Sequence, residues 1–469
     1  MKKFEINPEI KIFRFLTILG ISVLAWIFLK PVPGLSEKAL HMLIIFVASM
    51  VGIMLEVCHP VAFLLITMLV ANLTGTIEVK ESFSGFSNIV PWLLFLVLSL
   101  TTAITKTTLG MRLAYIFMRF FGKGITGLSY SIIMTEFFVA PILPSNTARA
   151  ASVGYPLVTS LAKYISSKIK GVSEQAIGGY LTLLYSSSNA VCSGIFLTAM
   201  ISNAIIIEAM QDVGIQTTWL SWFKYAIVPG ALILAIIPFI VRIFCHPKTT
   251  ELGNIQEQAQ RNYNELGALT NDEKFIIATF MLMLLMWIFA EIIHVPVLVT
   301  TLLGVCVFYV RDSISMKTIL SNNGAFSSVI MLAILISYVN CLSSFGAIQW
   351  FTSIVSNLIS GCSVKISFVI LSVIYFLTHY FFTGEGSRII ALYMTFLGIG
   401  ISLGIDKVTV AMTFALFSAM SSVLTNYSGP VAIMMFSSGY VPSKKWFSCG
   451  IVTAVAILAM CISVAFVRI

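Results

Sequence analysis

Charge is scarce in this sequence. Asp, Glu, Lys and Arg make up 10% of 469 residues, and the 19 acids are outnumbered by 28 Lys and Arg. A soluble domain carries about 25% charged residues. A chain with mean hydropathy +0.98 lacks the polar groups to cover a water-facing surface. The pairings that carry chemistry are missing too. There is no HExxH, no GxxxxGK[ST] and no CxxCH, which leaves no machinery for direct ATP coupling or for chemistry on a substrate. The cysteines at 58, 192, 245, 306, 341, 362, 449 and 461 stand singly. Without a CxxC pair they indicate neither a metal site nor a disulfide framework, and they read as small apolar packers. The basic excess comes with no aromatic–basic patch in a soluble domain, which argues against nucleic acid. Gly400-Ile401-Ser402-Leu403-Gly404 fits GxSxG. It lies in continuous apolar helical sequence with no strand before it, so the nucleophile-elbow context fails. The chain does not read as an enzyme.

What is abundant is apolar sequence in runs near the length of a bilayer crossing, among them 12–29, 37–55, 223–241, 274–290 and 446–467. About eleven spans plus shorter interrupted segments are expected. The fold class is an all-α polytopic membrane protein with no soluble module. The start, MKKFEINPEIKIFR, is basic and is followed by no cleavage-site pattern, so it reads as a cytoplasmic lead-in. Basic residues gather in loops: Lys2, Lys3, Lys11 and Arg14; Arg119 and Lys123; Arg311 and Lys317; Lys444 and Lys445. The positive-inside bias puts these loops in the cytoplasm. An odd span count then leaves the C-terminus outside. A bacterial inner membrane is the expected location.

The most polar stretch, 246–273, reads as the longest loop; it divides the chain into 1–245 and 274–469 and is expected to be a cytoplasmic linker. The halves resemble each other. PWLLFLVLSLTTAI leads to TTLGMRLAYIFMRFFGKG, and FSSVIMLAILISYVNCL leads to SSFGAIQWFTSIVSNLISG. Aligning Gly110 with Gly346 pairs the halves, and both following segments are amphipathic and short, fit to lie at the interface. A broken apolar segment comes next in each. The first break is Ser145-Asn146-Thr147, flanked by Pro141 and Pro144; the second is Thr383-Gly384-Glu385-Gly386-Ser387-Arg388. Downstream, GIFLTAMISNA and SSVLTNYSGPVAI each set a Thr and an Asn in apolar sequence, Thr198 in one and Thr425-Asn426 in the other. Broken backbone at membrane depth is tolerated only where it is buried in protein or lines a wet cavity. Paired breaks in two repeats point to a midplane site between them.

Hydroxyls, amides and free backbone N–H groups hold a carboxylate without formal charge, and half-helix N-termini turn positive dipole ends toward it. Arg149 follows the first break and Arg388 lies in the second. A guanidinium fork suits carboxylates, and pairing with Glu136 or Glu385 is the competing use. Glu385 either neutralises Arg388 or is a protonatable coupling group. Glu136, His379 and His294 read as structurally paired or interfacial.

The segments SNIVPWLLFLVLSL, TTLGMRLAYIFMRFFGK, APILPSNTARA, IFLTAM and LTNYSGPVAIMMFSSGYVPSKKW resemble the divalent anion/sodium symporter family. The match is nearest to its exchanger branch of 2-oxoglutarate/malate translocators and citrate/succinate antiporters. That resemblance implies eleven spans and two re-entrant hairpins in two inverted repeats, an elevator mechanism and a homodimer. It maps the first hairpin motif onto Ser145, Asn146 and Thr147, the second onto Thr383 to Arg388 with Ser387, and the later turns onto Thr198 and onto Thr425 and Asn426. The second hairpin departs from the family, reading TGEGSR where symporters have Ser-Asn-Thr and exchangers a Ser/Thr-Ala-His pattern.

The resulting expectation is a dicarboxylate exchanger (2-oxoglutarate, malate or succinate) with no cofactor, in which Arg149 and Arg388 take the electrostatic place of coupling sodium ions. The alternatives are a sodium-coupled symporter, with sodium near Ser145 and Asn146, and an anion channel.

Overall fold

The computed structural model describes residues 8–468 apart from Glu56, Lys170, 248–253, 321–322, Ser360 and Thr383. It is helical, with no strand among the described residues. Five helices are long and apolar enough to cross a bilayer, with further shorter apolar helices between them. The chain is a multi-pass membrane protein. The apolar runs become the helices Pro8–Phe28, Glu37–Met54, Trp219–Phe244, Asn271–Ile288 and Ser443–Phe466.

Polar residues mark where these helices begin. Ser36 Oγ accepts from Ala39 N, and Thr218 and Thr270 each form a reciprocal capping box. Such caps satisfy N–H groups that the first helical turn leaves free. Trp219–Phe244 tolerates Pro229 and Pro238 inside it, as membrane helices do when their neighbours take up the freed groups.

Element order repeats across the halves. Glu37–Met54, Pro60–Leu73 and Ile89–Ile104 in the first half answer to Asn271–Ile288, Val297–Val310 and Asn323–Ser344 in the second. An amphipathic helix follows in each, Leu109–Phe121 and Ala347–Ile359. Then comes a hairpin: Gly124–Val139 turns back through 140–145, and Val364–Leu377 through 378–384. A long helix that breaks mid-course comes next, Glu174–Ile195 and Lys407–Met420, and a final span closes each half. The halves exchange packing partners. Asn323–Ser344 packs on Pro60–Leu73 and Ile89–Ile104, while Ile89–Ile104 packs on Val297–Val310. A smaller apolar core sits around Leu40, Leu64, Leu335 and Tyr338; the larger one holds the hairpins and broken helices.

The structure corrects two expectations. The central linker is not all loop: Ile255–Glu265 is a helix packed on Leu109–Phe121, with Gln260 Oε1 accepting from Arg119 Nη1 at 3.0 Å. The GxSxG stretch is not continuous helix either. Met394–Ser402 ends inside it, and Gly404 turns left-handed at φ +78°, a conformation that a glycine adopts without strain. No strand precedes it, so the motif still lacks its context.

Candidate functional site

The repeat aligns Ser145 with Gly384, 239 residues apart. Each is an extended cap residue opening a four-residue helical turn, Asn146–Arg149 and Glu385–Arg388. Each turn runs into one π-helical turn, Ala150–Gly154 and Ile389–Tyr393, before regular helix resumes. Single π-turns recur at functional positions in helices. The alignment from Gly110 and Gly346 falls three residues short of this register, because 38 residues separate Gly346 from Gly384 and 35 separate Gly110 from Ser145.

At the first tip, Ser145 is buried and its Oγ accepts from Ala148 N at 3.2 Å. Asn146 and Thr147 are half-buried. Asn146 Oδ1 accepts from Thr147 N at 2.9 Å, and its carbonyl accepts from Asn189 Nδ2 at 3.4 Å. Thr198 lies beside this tip and donates to Pro141 O at 3.3 Å while accepting from Trp219 Nε1. So Ser145, Asn146, Thr147 and Thr198 come together.

The second tip lies against the backbone at Gly429. Glu385 is 8% exposed, and its carboxylate oxygens stand 3.0 and 3.2 Å from where a Cβ on Gly429 would lie. Gly429 precedes the helix Pro430–Phe436, against which the first tip's turn packs. Both tips therefore converge on this one segment. Gly386 approaches the stretch downstream of the first tip, its Cβ position 3.3 Å from Ser202 Oγ. Ser387 Oγ donates to Gly384 O. Thr425 is fully buried, and its hydroxyl has no hydrogen-bond partner among the described residues. Asn426 is directed elsewhere, with Nδ2 3.4 Å from Ser443 Oγ. Thr383 lies outside the described residues.

Arg149 takes the competing use, an ion pair with Glu136, while Arg388 makes no ion pair with Glu385 among the described residues. Both have no exposed surface. Arg149 Nε donates to Glu136 Oε1 at 2.7 Å, Nη1 to Leu143 O and Ala199 O, and Nη2 to Ser193 Oγ. Glu136 also accepts from Tyr185 OH and Asn189 Nδ2, both at 2.8 Å. Arg388 Nη1 donates to Tyr375 O, and Nη2 to Phe417 O, Ser418 O and Ser421 Oγ. Its guanidinium stacks 4.8 Å from the Tyr375 ring centroid. A helix broken at membrane depth frees carbonyls that no water reaches, and each needs a donor. The five-donor guanidinium supplies several at once. The arginines brace the breaks from beneath the tips.

Symmetry extends to the partners, with one difference. Glu136 and Tyr375 each stand 13 residues before their arginine. Arg149 thus meets a carboxylate and Arg388 an aromatic face. Among the described residues, no carboxylate lies at ion-pairing distance from Arg388. His379, also fully buried, joins this cluster through Nδ1 and Ser421 Oγ at 3.1 Å. Glu136 and His379 are structurally engaged, as their isolation in apolar sequence suggested. Tyr185, Asn189 and Ser193 escaped the sequence reading, although their spacing of four places them on one helix face.

The profile of the family described as "Sodium:sulfate symporter transmembrane region" matches residues 12–468. The chain belongs to the divalent anion/sodium symporter family. It is 32% identical over 429 residues to a protein of Arabidopsis thaliana named dicarboxylate transporter 1, chloroplastic, covering 91% of this chain and 77% of that one. It is 26% identical to the citrate/succinate antiporter of Escherichia coli K12, covering 97% of each chain. Among solved structures it is similar to the YdaH transporter of Alcanivorax borkumensis, with TM-score 0.52, 11% identity and coverage of 98% and 97%. At that identity the likeness concerns the fold alone. This family member is a membrane transporter, and its tips are the candidate site for the transported solute. An open groove of 970 Å³ between Phe275, Val299, Leu302 and Val310, with Asp272, Arg311 and Asp312 in its lining, is formed by other helices than the tips.

Proposed function

We propose that this transporter exchanges dicarboxylates, such as 2-oxoglutarate, malate or succinate, across the bacterial inner membrane. The observation that carries the reading is the meeting of both tips on the segment around Gly429, in a chain whose relatives include a named dicarboxylate transporter and a named citrate/succinate antiporter. One carboxylate of the solute sits at the first tip, taking hydrogen bonds from Asn146 Nδ2, the Thr147 hydroxyl and the N–H of Asn146. The other sits against the second tip, near Ser387 and Thr425. Neutral donors and helix-start dipoles hold the dianion.

Exchange follows from Arg388. Arg149 is neutralised by Glu136, so only the second half brings a fixed cation without an ion-pair partner. A sodium ion can leave with the solute; a guanidinium cannot. Moving the emptied site then carries positive charge through a low-dielectric barrier. A cost of about 3 kcal/mol slows that step about a hundredfold. A bound dianion compensates the guanidinium and leaves one net negative charge, shared by two carboxylates that the donors of both tips solvate. We place the N-terminus in the cytoplasm and read the transporter as a homodimer whose hairpin-bearing part moves as an elevator.

A second reading, sodium-coupled symport with sodium beside Ser145 and Asn146, is favoured by the family's own description. One experiment separates the two. Labelled succinate uptake is measured into vesicles of the purified protein, loaded with unlabelled succinate or empty, with and without a sodium gradient. Exchange predicts rapid uptake only into loaded vesicles. Rapid sodium-driven uptake into empty vesicles selects symport, and no uptake under any condition removes the function.

A further inference from the structure

Glu385 opens the second tip at the position where Asn146 opens the first, each following the cap residue and each three residues before its arginine. Asn146 carries a carboxamide, always neutral and able to donate and accept. Glu385 carries a carboxyl, which donates only when protonated. It is more than nine-tenths buried, and its oxygens lie against Gly429, on the segment where the two tips converge. An ionised carboxylate there would face the incoming dianion with like charge.

Among the described residues, no charged group makes an ion pair with it. Arg388, on the same turn, makes no ion pair with it and is committed to Tyr375, Phe417, Ser418 and Ser421. From the turn Thr378–Phe381, His379 bonds Ser421, and Tyr380 contributes its carbonyl to Tyr427 OH. Lys407 is the single charged residue of Lys407–Met420, at the end remote from the break, and donates to Val213 O and Gly214 O. Pro430–Phe436 carries no titratable side chain. Asn203–Asp212, approached through Ser202, carries Glu208 and Asp212 in its later turns.

We infer that Glu385 takes up one proton with each dicarboxylate and is the proton-coupling residue of the second tip, an inference that rests on the dicarboxylate reading above. The proton comes from hydronium on the entry side: one of its O–H bonds breaks, an O–H bond forms on the carboxylate, and water is left. The protonated group then donates to the nearer solute carboxylate, as the Asn146 amide does at the first tip. If the proton stays when the solute leaves, Arg388 remains uncompensated until another dianion binds. If the proton leaves as well, the Glu385 carboxylate offsets Arg388, the empty site returns, and the cycle becomes proton-coupled net transport.

The test is calorimetric titration of the purified full chain with fumarate, from about pH 6 to about pH 9, where fumarate stays doubly ionised. Repeating it in buffers of different ionisation enthalpy counts the protons taken up. The expected result is proton uptake approaching one per fumarate, with affinity falling about tenfold per pH unit at the alkaline end. Glu385→Gln binds at alkaline pH with no proton uptake, and Glu385→Ala binds weakly at every pH. Wild-type binding with no proton uptake and a flat pH profile overturns the inference while leaving the dicarboxylate reading standing. So does a wild-type profile in Glu385→Gln. Absence of dicarboxylate binding at every pH overturns the parent reading and this one with it. If Glu385→Gln does not fold, the wild-type proton count decides alone.

Discussion

Glu136 and Arg149 form an ion pair across the first hairpin, Oε1 to Nε 2.7 Å, with side chains 1% and 0% exposed. Removing one member of such a pair leaves a buried charge alone and costs about 3–5 kcal/mol. Glu136→Ala is therefore expected to lower the melting temperature in detergent far more than any change at the half-buried tip. Exchanging both partners for apolar residues of similar volume recovers part of the loss but leaves the carbonyls of Leu143 and Ala199 without their donor. Thermal unfolding of the single and double variants measures the coupling.

Asn146 separates binding from stability. Its side-chain oxygen bonds only within its own turn. Asn146→Ala should leave the melting temperature of the ligand-free protein near wild type. A hydrogen bond to a charged group contributes about 1.5–3 kcal/mol, so dicarboxylate affinity should fall about 10- to 150-fold. The thermal shift produced by succinate reads both quantities in one experiment, because a bound ligand raises apparent stability.

Gly154, in the first π-turn, allows Tyr185 to reach Glu136. A Cβ there would stand 2.1 Å from Tyr185 Cζ. Gly154→Ala should push the ring aside and weaken its hydrogen bond to Glu136, costing about 1–3 kcal/mol. Pairing it with Tyr185→Phe tests the cause. If the displaced hydroxyl matters, the two losses combine to less than their sum.

Arg388→Gln removes the unpaired cation while keeping some donors for the carbonyls of Phe417 and Ser418. On the exchange reading, the ratio of uptake into loaded over empty vesicles should fall toward one in this variant, provided that its melting curve shows a folded protein. A ratio that stays at the wild-type value means that the charge does not hold back the empty carrier.

Much of this was legible beforehand. Pro141 and Pro144 beside three small polar residues announced a break that the hairpin contains, and the doubled order of apolar runs announced the repeat. The arginines were harder to read. An isolated cation in apolar sequence signals function, but nothing local reveals that Glu136 lies across the hairpin, or that the freed carbonyls of Ala199 and Ser418 need a donor. Those partners are set by how helices return on each other. The second break, read at Thr383 to Arg388, contains the turn Glu385–Arg388 that Gly384 opens. The linker helix was hidden by its polar composition, although Ile255 and Ala259, four apart and both buried, trace the face it lays on Leu109–Phe121.

The most direct measurement is an experimental structure of the protein with succinate bound. The account predicts density for the dianion between the turn at Asn146 and the turn at Glu385, beside Gly429, with Arg149 still on Glu136. Density clasped by Arg149 and Arg388, or lying away from both turns, would contradict it.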